Sequence, residues 1–124
     1  MDNKTTAKHM ESSIRKWRGI RENVRRQREM YKGYVGTYWG RCGYCVVFCP
    51  KSKMGWSDCD ACPLYLGWSR KYHMFYCYTY LNLTKDSVAS RALRLADNGH
   101  WAEALQHVDC LLAKMGRDLR KAMS

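Results

Sequence analysis

Cys42 and Cys45 are separated by two residues, Cys59 and Cys62 repeat that spacing after a gap of thirteen, and Cys77 follows fourteen residues further on. A Cys-x2-Cys pair presents two thiolates to one ion from a tight turn, and two pairs joined by a short loop complete a tetrahedral four-sulfur shell. The spacing predicts a fold nucleated by Zn2+ on Cys42, Cys45, Cys59 and Cys62. Cys49, Cys77 and His73 are alternate ligands, because a half-site of Cys62 with Cys77, or entry of His73, changes the loops and leaves the structural role intact. A closed shell has no open position for a reactive water, so this metal is expected to hold the fold and not to catalyse.

Cys42-x2-Cys45-x3-Cys49-Pro50 also resembles the ligand run of bacterial ferredoxins, and Cys62-Pro63 repeats its Cys-Pro ending. An iron–sulfur cluster is therefore the alternative cofactor. The run is one residue off and is not completed by a fourth cysteine in register, which favours zinc. Seven cysteines, an odd number, in a chain without a secretory leader pattern fit metal binding and free thiols in a reducing cytoplasm better than a disulfide framework. No apolar run approaches the ~18 residues needed to cross a bilayer.

The net charge is +11 over 124 residues, and it is uneven. Residues 1–33 carry ten Lys or Arg against four acids, residues 34–84 five against two, and residues 85–124 seven against five. A field of that sign accelerates encounter with nucleic acid or an acidic protein face.

The pattern of residues predicts a mainly helical α+β single domain over 12–124, preceded by a flexible polar tail at 1–11. Ser12 or Ser13 can cap a basic helix over 12–32, with Ile14, Trp17, Ile20, Val24 and Tyr31 on one stripe. Arg15, Arg18, Arg25 and Arg26 alternate with Glu22 and Glu29 on the opposite side, where helical pairs such as Glu22 with Arg26 can form. A Cys- and aromatic-rich metal-binding centre spans 34–83, with short strands expected at 44–48 and 72–81. The second strand would carry Tyr72, Tyr76, Tyr78 and Tyr80 on one face and Cys77 on the other.

Residues 84–124 read as a helical hairpin. Thr84, Asp86 or Ser87 caps a first helix carrying Val88, Ala92, Leu95 and Ala96, and Asn98-Gly99 stops it. The second helix repeats Trp101, Leu105, Val108, Leu112, Met115, Leu119 and Ala122 at heptad spacing, a stripe that can pack on the N-terminal helix or on a second copy. Leu95, Gly99-His100-Trp101 and Glu103-Ala104-Leu105 resemble the helix–turn–helix corner of a single tetratricopeptide repeat, which implies a tight antiparallel helix pair.

Lys51, Lys53, Arg70 and Lys71 lie in the sequence beside Trp56, Trp68, Tyr72, Tyr76 and Tyr78. Cations interleaved with flat rings are what phosphate contact and base stacking need. Together with Arg15, Arg18, Arg25 and Arg26 they form the expected binding surface for nucleic acid or a nucleoprotein complex. A protein-binding inhibitor is the alternative, since aromatic residues and Arg dominate interface energetics. Catalysis is not expected: His9, His73, His100 and His107 are scattered without a spaced acid or nucleophile partner, Asp58 and Asp60 suit turn capping, and Cys110 suits burial.

The order Cys42-x2-Cys45, Cys59-x2-Cys62-Pro63, then Cys77 with Tyr80 three residues on, resembles a group of small Cys-rich, zinc-binding proteins encoded by bacterial viruses and prophages. The similarity covers about forty residues and is one of spacing. It implies a metal-stabilised accessory protein of a mobile element acting in the host cytoplasm, such as an anti-CRISPR-like inhibitor of a host defence or of a transcription complex.

Overall fold

A computed structural model of the chain describes residues 3–28, 67–77 and 87–124. Among these residues three helices and one hairpin follow in the order α1 (Asn3–Arg25), β1 (Trp68–Ser69), β2 (Met74–Phe75), α2 (Val88–Asp97) and α3 (Trp101–Met123). Among the described residues no helix is long and apolar enough to cross a membrane.

α3 is the centre of the arrangement, packed by α1 on one side and α2 on the other. Arg21 of α1 pairs with Asp109 of α3, and the first turns of α1 line a cleft with Ala122 and Met123, so α1 and α3 run antiparallel. The α1 stripe of Ile14, Trp17, Ile20 and Val24 is buried as its spacing predicts. That stripe begins earlier than expected. Ala7 and Met10 are buried too, and the helix starts at Asn3, so residues 3–11 are helix and not a flexible tail. Ser12 and Ser13 lie inside the helix, and Ser13 is only 1% exposed. Apolar contact over two further turns decides the start here, overriding the local preference of serine for a cap.

α1 also ends earlier than expected, at Arg25. Arg28 N–H donates to the Asn23 carbonyl at 2.8 Å, Gln27 N–H donates to Val24 at 3.0 Å, and Gln27 has φ of +55°. This is a Schellman stop with a glutamine in the left-handed position. Tyr31, the expected last member of the stripe, lies outside the described residues.

α2 starts and stops where the sequence places its signals. Ser87 accepts from Ser90 N–H at 3.1 Å while Ser90 Oγ accepts from Ser87 N–H at 3.1 Å, a reciprocal capping box. Gly99, at φ +78°, closes the helix: its N–H reaches the Ala96 carbonyl and His100 N–H reaches Leu95. On α3 the buried side chains are Ala104, His107, Val108, Leu111, Met115 and Asp118, with the predicted Trp101, Leu105, Leu112, Leu119 and Ala122 only partly buried. A helix clasped from two sides buries a wider arc than the a/d seam of a heptad.

Of the strand expected at 72–81, residues 78–81 lie outside the described residues, as does the strand expected at 44–48; within 72–77 only Met74–Phe75 is strand. Residues 70–73 form a turn between β1 and β2, which pair antiparallel with Trp68 opposite Phe75 and Ser69 opposite Met74. His73 N–H donates to the Ser69 carbonyl at 2.8 Å and His73 occupies the left-handed region at φ +54°. Beyond the hairpin, Phe75 bridges to Ser87, and Tyr76 C=O accepts from Ala89 N–H at 3.0 Å. The hairpin is thereby fastened to the first turn of α2, where a free helix would leave its N–H groups unpaired.

Candidate functional site

The hairpin lies along α3 through a short ladder of side chains. Ser69, 1% exposed, sets its Oγ 3.8 Å from Cys110 Sγ and accepts from Tyr72 N–H at 3.2 Å, so one buried hydroxyl holds both the turn and its register on the helix. The Tyr72 ring stacks on His107. Tyr76 is buried, with its hydroxyl accepting from Arg117 Nη2 at 3.4 Å and its ring 6.0 Å from Lys114 Nζ. Lys114 in turn pairs with the nearly buried Asp118 at 2.6 Å.

Between the hairpin and α3 runs a groove of about 620 Å³ lined by Trp68, Ser69, Arg70, Lys71 and Tyr76 from the hairpin, and by Gln106, Asp109, Cys110, Ala113 and Arg117 from α3. Arg70, Lys71 and Arg117 are exposed, and Asp109 is paired with Arg21 at 2.6 Å. Trp68 stands at the rim, 51% exposed, in an edge-to-face pair with Phe75 at 5.1 Å between centroids and 82° between planes. Cations and an accessible ring therefore share one concavity, the arrangement that contact with a phosphate-linked chain of bases requires.

Of the residues predicted to bind, the structure brings Trp68, Arg70, Lys71 and Tyr76 into this groove. Tyr72 and Tyr76 face the core instead of forming an exposed row: Tyr72 packs against the buried cluster and Tyr76 belongs to it. Arg25 at the end of α1 and Arg26 just beyond it are exposed, and both bind Glu22, at 2.8 and 2.6 Å. Hydrogen bonding from Arg25, then from Arg26, lowers the Glu22 pKa to about 2 against a smaller desolvation effect, and the ionised carboxylate leaves the trio one net positive charge. Arg15 and Arg18 are exposed, with no carboxylate in ion-pair range among the described residues. Lys51, Lys53, Trp56 and Tyr78 lie outside the described residues.

The predicted metal ligands Cys42, Cys45, Cys59 and Cys62 and the alternate Cys49 also lie outside them. His73 sits exposed at the hairpin turn, and Cys77 is half-buried against the core and in no disulfide. Among the described residues no group of three or more His, Cys, Asp or Glu is gathered for a metal ion.

Six of the ten groove residues were not foreseen from sequence, the charged Arg117 and Asp109 among them. Arg117 and Asp109 read as ordinary polar positions of a helix, and only the docking of a hairpin forty residues away makes them lining residues. A larger cleft of about 710 Å³, between Lys4, Thr5, Ala7, Lys8 and Glu11 of α1 and the last residues of α3, contains none of the predicted binding residues. No family model, curated protein or solved structure matches the chain.

Proposed function

We propose that the chain is a small basic binding protein that takes up nucleic acid, alone or within a nucleoprotein complex, in the groove between the hairpin and α3. The observation that carries this reading is the placement of Arg70, Lys71 and Arg117 around a concavity with Trp68 at its rim. A surplus of eleven positive charges supports it, since phosphate neutralisation with release of counterions supplies most sequence-independent affinity. Binding of random-sequence DNA and RNA, followed by anisotropy over a salt series, is the test. Affinity should fall steeply with salt, and the triple substitution Arg70→Gln, Lys71→Gln, Arg117→Gln should abolish most of it. Salt-independent or unaltered affinity would overturn the reading.

The Cys-rich centre is proposed to be held by Zn2+ on Cys42, Cys45, Cys59 and Cys62, supported by their spacing. One zinc per chain, lost in Cys42→Ser, is the expected metal analysis; iron with sulfide would replace this with the cluster reading. The order of these cysteines, similar to that in small proteins of bacterial viruses, supports an origin in a mobile element.

A second reading is a protein partner, such as a host defence or transcription complex bound without nucleic-acid contact. The exposed Trp68–Phe75 pair favours it, because aromatic side chains commonly anchor protein interfaces. Capture of the same partner after nuclease treatment, by a chain that binds no oligonucleotide, is the outcome that selects this alternative.

A further inference from the structure

We infer that the groove selects single-stranded nucleic acid, with an unpaired base stacked on Trp68 and its flanking phosphates held by Arg70, Lys71 and Arg117; this rests on the groove being a nucleic-acid site. The reasoning begins with what is exposed. Trp68 leaves half of its surface to solvent on a protein whose other described tryptophans, Trp17 and Trp101, are buried and half-buried. Phe75 braces the indole edge to face without covering it. The backbone beneath is fixed, because Ser69 next in the chain is buried against Cys110 and pairs with Met74 across the hairpin. An aromatic platform held in place loses little side-chain freedom when a base settles on it.

Geometry then separates single strands from duplex. In a duplex the base faces are already stacked on one another and only their edges are offered, so meeting Trp68 would require flipping a base out at a cost of a few kcal/mol. A helix that reads the major groove must present an exposed face to it, since a helix of about 10–12 Å fills a groove about 12 Å wide. On α3, the helix that lines the site, the exposed face at Gln106, Asp109, Ala113 and Arg117 is one wall of the groove and the hairpin that carries Trp68 is the other, so that face is not free to enter a duplex. The three cations sit on the same groove as the ring, and the one carboxylate among the lining residues, Asp109, is occupied by Arg21. A flexible phosphodiester chain with one base splayed out fits this set of groups; a rigid double helix does not.

The test measures binding of the full-length protein to labelled oligo-dT, oligo-rU and a mixed-sequence duplex of equal length, with tryptophan fluorescence read in parallel. Both single strands should bind at least about tenfold tighter than duplex and should quench tryptophan emission, with a log–log salt slope near −2, about −0.7 for each of three phosphates. Trp68→Ala should lower single-strand affinity by about 5- to 150-fold, the usual range for one stacked base, while Trp68→Phe restores most of it and duplex binding stays unchanged. Should Trp68→Ala perturb folding, Arg70→Gln with Lys71→Gln, both on the exposed turn, must reduce the slope by about 1.4, or about 0.7 for each lost phosphate contact. Tight duplex binding indifferent to Trp68 would overturn this inference while leaving the nucleic-acid reading in place. Absence of binding to all three would overturn both. A preference between dT and rU would tell DNA from RNA as the source of the strand and would support the inference either way.

Discussion

The rings of Tyr72 and His107 lie stacked with centroids 3.9 Å apart and planes 18° from parallel, joining the hairpin turn to the middle of α3. His107 Nδ1 is 2.7 Å from the Glu103 carbonyl, which can only accept, so Nδ1 carries the proton and Nε2 is left as a bare acceptor. That Nε2 and the Tyr72 hydroxyl are both buried, with no hydrogen-bond partner among the described residues. Burial holds the His107 pKa below its ordinary value of 6.5; Arg91 from α2 and Lys71 from the hairpin push the same way, against the carbonyl and charge of Glu103.

A pH dependence with a definite sign follows. Above pH 6.5 the imidazole is neutral in folded and unfolded chains, and this group adds no slope. As pH falls below that value the unfolded chain binds a proton that the folded chain resists, so stability declines until the folded pKa is passed. His107→Phe keeps a ring against Tyr72 and removes the titration. The loss of melting temperature between about pH 7.5 and pH 5.5 should therefore be smaller in the variant. An equal loss would assign the acid sensitivity elsewhere.

Ser87 is fully buried at the start of α2, where it closes the capping box and bridges to Phe75. Ser87→Ala should cost about 1–2 kcal/mol of unfolding free energy, measured by urea denaturation. Ser90→Ala removes only the return half of the box and should cost less. Equal costs would mean that the Ser87 hydroxyl has no role beyond that of its partner.

α1 and α2 end in the same motif, but with Gln27 in one and Gly99 in the other at the left-handed position. A side chain there costs about 1 kcal/mol that glycine avoids. Gln27→Gly should accordingly raise stability by about that amount. Lowered stability would show that the glutamine side chain gives more than its backbone strain takes.

Asp109 is the negative group lining the proposed binding groove, and its bond to Arg21 joins two exposed side chains. Exposed pairs of this kind contribute about 0.2–1 kcal/mol, so Asp109→Asn should change stability little. It should also tighten nucleic-acid binding by about two- to fivefold, since a repelling charge is gone and Arg21 is released. Weaker binding would mean that the pair holds the groove in shape.

Met10, Ile14, Trp17, Ile20, Val24, Val88, Ala92, Val108, Leu111 and Met115, all carried by the three described helices, form one buried cluster. Removal of metal by a strong chelator should therefore leave most far-ultraviolet helical signal intact while changing the near-ultraviolet tryptophan signal. Leu111→Ala, by contrast, should cost about 2–5 kcal/mol and lower the melting temperature of the helices themselves. Collapse of helicity on chelation would show that the metal supports the helical core as well.

The helical hairpin was the most legible part of the chain, because Ser87, Asn98-Gly99 and an apolar period of 3.6 all point to the same boundaries. α1 was legible on its buried face and not at its ends. Ala7 and Met10 are weak apolar signals next to a serine pair that resembles a cap, and Gln27 is not a residue that announces a stop. On α3, Leu111 lay one step off the heptad seam, and His107 and Asp118 gave no apolar signal at all; His107 is buried where the ring of Tyr72 stacks on it, and Asp118 is paired with Lys114. The candidate groove was legible in half. Trp68, Arg70 and Lys71 stand together in the sequence, whereas Arg117 joins them only through the register that Ser69 sets on Cys110, a contact across 41 positions.

Arg21 and Asp109 meet across 88 positions of sequence, so α1 must wait for its partner helix during synthesis. At roughly 5–20 residues per second, a ribosome needs about 4–18 seconds to make that stretch. Throughout that interval the stripe from Met10 to Val24 has no α3 to cover it. The arginines on the opposite face of α1 then have a use that precedes any ligand: they keep a nascent amphipathic segment soluble until the C-terminal helix emerges.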